Sequence, residues 1–427
     1  MQSQTQVLEI QLQSSLPPLP PAPPLALSPA SVGKSIPPEA NRALDSTTCF
    51  GRDPARSNVY PESFANVELE IAQNWSASAD GDLTGSFVVA QNRLCFSGSF
   101  LSCFELLSLE RQSIYNRLWS QSCKEFSSIL YDSSSDMFIG VLNNGGEGQP
   151  GALVGILASN GSVTFSVPLD EGFSAPPAQF GPVTAIPISG TVSFFSSGIK
   201  FADNGLLGGD YISTPAFGTS SNTVVVATNT HLFALQLPAA NILWKTPISD
   251  YYNDIANPVL LCDGLVVVTA SPSMGINATT GAMLWNGTST GGNLVNGAAL
   301  DCESRIFLVY DLSDDQRVLV ARDIVTGKIQ WSVPTPYSTA FTVVGEIIYN
   351  VGALGVLEAR SLTNGSLVWK SSISIWPPGN IYAQMANVAI MAADHRLLIV
   401  AALSEDSGGG TQVYVLREKT ERKMKIK

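Results

Sequence analysis

Apolar and polar positions in this chain fall into a short repeating rhythm. Residues 257–271, NPVLLCDGLVVVTAS, read as an apolar run, a Cys-Asp-Gly turn and a β-branched run, which is the pattern of a hairpin. The same pattern returns in NGAALDCESRIFLVYD (296–311), TAFTVVGEIIYNVG (339–352), STPAFGTSSNTVVVAT (213–228) and MANVAIMAADHRLLIVAAL (385–403). After each of the first four comes a third short run, a turn, and a fourth run ending in an aromatic. After the last comes TQVYVLRE (411–418). Strand, turn, strand, loop, strand, turn, strand is a four-stranded antiparallel unit, repeated.

The fourth run carries a phrase. ARDIVTGKIQW ends at Trp331, GINATTGAMLW at Trp285, ARSLTNGSLVW at Trp369 and the looser ALQLPAANILW at Trp244. GILASNGSVTF ends at Phe165 and a degraded LSLERQSIYNRLW at Trp119. Successive ends are 46, 79, 41, 46 and 38 residues apart. The value 79 is close to two periods, so one copy, near residue 205, has lost its aromatic. A period of about 40 residues is that of a four-stranded propeller blade. Such a blade cannot bury its own faces and must pack on its neighbour, and ringing the blades around an axis protects their edges. A Trp at the end of the outer strand lies across that joint. The Gly four residues earlier offers a bare peptide plane, and the small residue ten earlier leaves room. The residues assigned to blade docking are Trp75, Trp119, Trp244, Gly281, Trp285, Ala321, Gly327, Trp331, Ala359, Gly365 and Trp369.

Here the chain resembles the PQQ-like (quinoprotein alcohol dehydrogenase-like) β-propeller family. ARDIVTGKIQW matches its repeat A-x-D-x-x-T-G-x-x-x-W at Ala321, Asp323, Thr326, Gly327 and Trp331. The Gly281/Trp285 and Gly365/Trp369 copies match with softer first halves, and in the Trp244 copy the Gly is Ala240. CFGRDPARSNVYP (49–61) is similar to the phrase with which many family members open, with Ser-Asn replacing Thr-Gly. The resemblance implies that VELEIAQNW (67–75) is a lone strand completing the final blade beside TQVYVL. The expected fold is therefore an all-β propeller of four-stranded antiparallel blades, eight in number with seven as the alternative count, closed by that N-terminal strand. It occupies residues 47–417, between a disordered Pro-rich lead (1–46) and a short basic tail (418–427).

Charge narrows the partners. The net charge is −12, and the last eleven residues hold six Lys/Arg against two Glu, so the body is more acidic still. An acidic body repels phosphate backbones, which argues against nucleic acid. No apolar run approaches the roughly 20 residues that would span a bilayer. Six Cys, at 49, 95, 103, 123, 262 and 302, include no C-x-x-C pair. Cys262 and Cys302 fall at nearly equivalent turns of successive repeats and Cys95 and Cys103 flank one hairpin, so disulfides and buried free thiols are both open. Asn160-Gly and Asn364-Gly, two of five N-x-S/T sequons, suggest two-residue type I′ turns. Low charge and acidity favour an extracytoplasmic or secreted location.

Candidate chemistry is sparse. In the family's enzymes a calcium-bound quinone is capped by a vicinal Cys pair and an Asp acts as base; this chain has no adjacent Cys. No catalytic, cofactor-binding or metal-ligating residue is assigned, no cofactor is expected, and PQQ with calcium is the alternative. The two His, His231 and His395, fall in hairpin turns. Function is expected at the funnel mouth, on loops joining one blade to the next. The candidates are Asp210 and Tyr211, Tyr252 and Asp254, Tyr337, and Trp376, Asn380 and Tyr382: aromatics and polar groups suited to a protein partner or a glycan. The expected role is that of a monomeric, non-catalytic binding scaffold like the family's assembly factors. The alternatives are a quinone-dependent oxidoreductase of alcohols or sugars, and a carbohydrate-binding propeller.

Overall fold

The computed structural model describes residues 59–60, 64 and 68–76, and between 87 and 418 the strands with most of the tight turns that join them. The regular structure of these residues is all β-strand. Residues 1–46 and the tail beyond 418 lie outside the described residues.

Eight sheets follow one another along the chain. Seven come from consecutive residues, 87–122, 126–168, 178–204, 216–247, 259–286, 298–334 and 338–370, here blades 1 to 7. Blade 8 takes three strands from Val388–Ala393, Arg396–Ala402 and Thr411–Glu418, and its fourth from Leu69–Ser76. That last strand pairs antiparallel with Thr411–Glu418, Leu69 opposite Glu418 and Trp75 opposite Val413, so the ring is closed between the two ends of the domain as expected.

In each blade the spatial order of the strands is their order along the blade. The first strands of successive blades touch in turn from blade 1 to blade 8, so they line the axis. The fourth strands form the perimeter and are mostly exposed, as in Ile329–Pro334. Tight turns joining first to second and third to fourth strands lie at one end, the turn face. The second-to-third connections and those leading to the next blade lie at the other, the loop face. The core is a series of slabs between blades. Val225, Leu232 and Trp244 of blade 4 pack with Leu261, Val266 and Ile276 of blade 5, and Ala321 and Leu319 of blade 6 with Phe341 and Ile348 of blade 7.

Each perimeter strand carries a bulge at one register. The extra residue is Leu118, Thr164, Phe201, Leu243, Leu284, Gln330 and Val368 in blades 1 to 7 and Ala72 in blade 8. A bulge twists an exposed edge away from further pairing and re-aims the next side chain. That next residue is Trp119, Phe165, Ala202, Trp244, Trp285, Trp331, Trp369 or Gln73. The copy without an aromatic is thus centred on Ala202. Trp75 stands two residues beyond the register that its counterparts hold.

The residue opposite each of these aromatics is small: Cys103, Gly155, Ala234, Gly275, Ala321 and Ala359. The glycine serves a different neighbour from its own phrase. Trp285 lies over Gly327 of the next blade, Trp244 over Gly281, Trp331 over Gly365 and Trp119 over Gly161. Each of these indole N–H groups also donates across the joint: Trp119 to the Ala158 carbonyl at 2.9 Å, Trp244 to Ala278 at 2.8 Å, Trp285 to Ile324 at 2.7 Å and Trp331 to Leu362 at 3.1 Å.

Two disulfides are formed among the described residues. Cys95 and Cys103 are directly opposed on neighbouring strands of blade 1, while Cys262 and Cys302 join blades 5 and 6 at the turn face. Cys49 and Cys123 lie outside the described residues. The Asn-Gly turns differ from expectation. Positive φ falls on Gly161 (74°) and Gly365 (71°) and not on the Asn before them, and Gly161 N–H reaches the Leu157 carbonyl. A four-residue loop with one left-handed residue results, because the Gly must lie flat under the preceding blade's Trp.

Candidate functional site

The loop face is set by a repeated anchor. Just past the fourth strand, a backbone N–H donates to the carbonyl at the start of the third: Leu169 to Gly151, Ile248 to Thr230, Gly287 to Ser273 and Ser371 to Leu357, all between 2.8 and 2.9 Å. These bonds fix where each connection leaves its blade, so four strands of backbone support what the loops carry. Ser371 Oγ also accepts from Leu357 N–H, and Ser213 Oγ from Ala227 N–H, each at 3.0 Å.

All eight funnel-mouth candidates belong to connections between blades, two of the four being among those anchored in this way. Asp210 and Tyr211 fall between blades 3 and 4, Tyr252 and Asp254 between 4 and 5, Tyr337 between 6 and 7, and Trp376, Asn380 and Tyr382 between 7 and 8. All eight lie outside the described residues. What the structure supplies is the scaffold around them, with Ser213, Thr214 and Thr335 buried beside two of the four connections.

Several of the described ionisable groups have structural partners. Glu358, near the loop face of blade 7, is 5% exposed and meets Arg360 at 2.8 Å and Lys370 at 3.2 Å. Burial alone would push its carboxyl up. The hydrogen bonds and charges of Arg360 and Lys370 outweigh that and hold it below the usual carboxylate range. Arg360 and its counterpart Arg322 each also donate to a glycine carbonyl, Gly365 and Gly327, at 3.1 Å. Sequence reasoning missed this cluster, although Glu-x-Arg on one strand places both charges on one face. At the turn face the buried Tyr131 hydroxyl donates to Asp136 at 2.8 Å; burial first, and then that carboxylate, push the phenol up. His231 does begin a strand after a tight turn, its N–H donating to Thr228 Oγ1 at 3.0 Å. His395 lies outside the described residues. No group of three His, Cys, Asp or Glu able to hold a metal ion is found among the described residues. No described helix is long and apolar enough to cross a membrane.

One feature of the axis was not anticipated. Val59–Tyr60 adds in parallel to the inner edge of blade 7, Val59 opposite Val343 and Tyr60 opposite Val344. These two residues lie near the end of the opening phrase CFGRDPARSNVYP, so part of that phrase runs along the inner edge.

Comparison with known proteins follows this architecture. Residues 274–420, the end of blade 5 through blade 8, match the family described as outer membrane protein assembly factor BamB. No curated protein matches the chain. Among solved structures it is similar to the quinohemoprotein alcohol dehydrogenase ADHIIG from Pseudomonas putida HK5, at 11% identity and TM-score 0.64 over 89% of this chain and 81% of that one. BamB from Moraxella catarrhalis gives 14% identity and TM-score 0.58 over 83% and 99% of the two chains. Sqt1 of Saccharomyces cerevisiae gives 8% identity and TM-score 0.59 over 82% and 98%. Identities this low speak for the fold alone. With its eight blades, its A-x-D-x-x-T-G-x-x-x-W phrases and the match over residues 274–420, the chain is a β-propeller similar to the PQQ-like repeat proteins.

Proposed function

We propose that this protein is a non-catalytic propeller scaffold that presents its loop face to a protein partner outside the cytoplasm. The observation that carries the reading is the match of residues 274–420 to the assembly-factor family. It is supported by the joint between blades 5 and 6, where the Cys262–Cys302 disulfide staples adjacent turns, chemistry suited to an oxidising compartment. The buried charges nearest the loop face serve packing, since Glu358 is matched by two cations of its own blade. The aromatic and polar residues of four connections, Tyr211, Tyr252, Tyr337 and Tyr382 among them, are the contact groups of this reading, and no cofactor is required.

The test has two arms. Titration with PQQ and calcium, followed by tryptophan fluorescence and then by dye reduction with an alcohol panel, is expected to give no saturable quenching and no turnover. Saturable quenching with dye reduction would overturn the scaffold in favour of an oxidoreductase. In the second arm the four tyrosines are replaced by alanine together, and the partner recovered with the wild-type protein is expected to be lost with no change in thermal midpoint. Retention of the partner would remove the loop face as the contact surface. Binding of a glycan array in place of a protein would favour a carbohydrate-binding propeller.

A further inference from the structure

The joint between blades 7 and 8 is sealed differently from most of the others. At the 1/2, 2/3, 4/5, 5/6 and 6/7 joints the aromatic of one blade lies on the glycine turn between the third and fourth strands of the next. Blade 8 has no such turn, because its third strand ends at Glu418 and its fourth begins at Leu69, far away in sequence. Described residues of the stretch 59–76 meet both sides of this joint instead. Val59–Tyr60 pairs with the inner edge of blade 7 at its turn-face end, beside Val343 and Val344. The Phe64 ring meets Tyr349 of blade 7 edge-on, with centroids 5.6 Å apart and planes at 72°. Leu69–Ser76 is then the perimeter strand of blade 8.

Tyr349 faces blade 8. Its neighbour Ile348 packs in the slab shared with blade 6, and alternation along a strand sends Tyr349 to the opposite side. There it is buried, and Glu418 of blade 8 adds to the burial that pushes its phenol up. Phe64, Tyr349 and Glu418 therefore converge at the turn-face end of this one joint.

We propose that residues 59–76 act as a strap, replacing the missing turn by fastening the inner edge of blade 7 to the perimeter of blade 8. This goes beyond ring closure, which Leu69–Ser76 performs alone. The inner half of the strap, Val59 to Phe64, can leave without breaking that closure, and its release loosens this joint and frees the inner edge of blade 7 to the channel. The strap thus holds the 7/8 joint from outside the two blades' own hairpins.

Hydrogen exchange of the full chain tests it. Phe64→Ala is expected to raise amide exchange in 338–352 and 388–402 roughly two- to tenfold, the effect of losing one aromatic pair, and to leave 126–142 and 223–236 unchanged. Unchanged exchange at the joint, or an equal rise in all blades, would overturn the strap. A second variant does not depend on tolerance of that loss. Val59→Cys with Val343→Cys places two cysteines directly opposite on paired strands, whose spacing of about 4.8 Å lies within the Cα range of disulfides. The cross-link is expected to form, to be found by peptide mapping, and to lower exchange in 338–344 below wild type. Its failure to form would remove Val59 from the inner edge and the proposal with it.

Discussion

Trp285 of blade 5 lies flat on Gly327 of blade 6 and donates its indole N–H to the Ile324 carbonyl at 2.7 Å. Two constraints meet at Gly327. Its φ is +69°, where an L side chain is strained, and a Cβ added there would stand 2.6 Å from indole carbons. Gly327→Ala is therefore expected to cost more than the roughly 1 kcal/mol of left-handed strain alone, and to approach the 3–5 kcal/mol expected for Trp285→Ala. Chemical denaturation of the two single variants and the double variant checks this. If both residues act through one contact, the double loses less than the sum of the singles; strict additivity would show that they stabilise the ring independently.

The 3/4 joint runs the same logic in reverse. Ala202 holds the register of the aromatic, and the aromatic has moved to the opposing strand as Phe194, fully buried. Blade 4 correspondingly carries Ala240, with φ +54°, where blades 5 to 7 have glycine. With no indole above it, a Cβ is tolerated. Ala240→Gly is expected to shift stability by less than about 1 kcal/mol, relief of strain being offset by lost methyl burial, whereas Gly281→Ala at the equivalent turn destabilises by well over that. Equal thermal shifts for the two substitutions would sink this account.

Much of this was readable before any coordinates. The aromatic phrases marked their blades because a blade without a core of its own needs a fixed partner at fixed spacing, and Trp244, Trp285 and Trp331 show the repeat directly. The equivalent turns of Cys262 and Cys302 were legible, but their pairing was left open against free thiols and is settled only by the structure. The glycine's true neighbour was not, since sequence order ties Gly327 to Trp331 whereas packing ties it to Trp285. Nor was the register of Trp75 legible: the bulge at Ala72 moves the docking register to Gln73. The funnel residues, such as Tyr252 and Trp376, sit on connections whose conformation the strand rhythm does not specify, so the sequence places them on a face and says no more.

The inter-blade disulfide carries its own prediction. Cys262 and Cys302 enclose a loop of about 40 residues, for which the chain-entropy relation gives about 4 kcal/mol, against about 2.5 kcal/mol for the eight-residue separation of Cys95 and Cys103. Cys262→Ser with Cys302→Ser should therefore lower the denaturation midpoint more than Cys95→Ser with Cys103→Ser. The reverse order would mean that native packing around the buried blade 1 pair outweighs loop length.

Acid should act on blade 7 through Glu358. Its carboxylate lies between Arg360 and Lys370, and its folded value is held below the ordinary one near 4.3. A depressed carboxyl binds its proton less readily when folded than when unfolded. Its contribution is then fully present above the unfolded value and is lost as pH falls through the folded one. Glu358→Gln removes that term. At neutral pH the variant should be less stable by about 3 kcal/mol, because Arg360 is left buried without its anion. Between neutrality and about pH 3 the wild type should lose the larger amount, so the two stabilities converge on acidification. Denaturation midpoints measured across that range decide the matter. Parallel curves would show that the cluster contributes no pH-dependent stability, whatever its geometry.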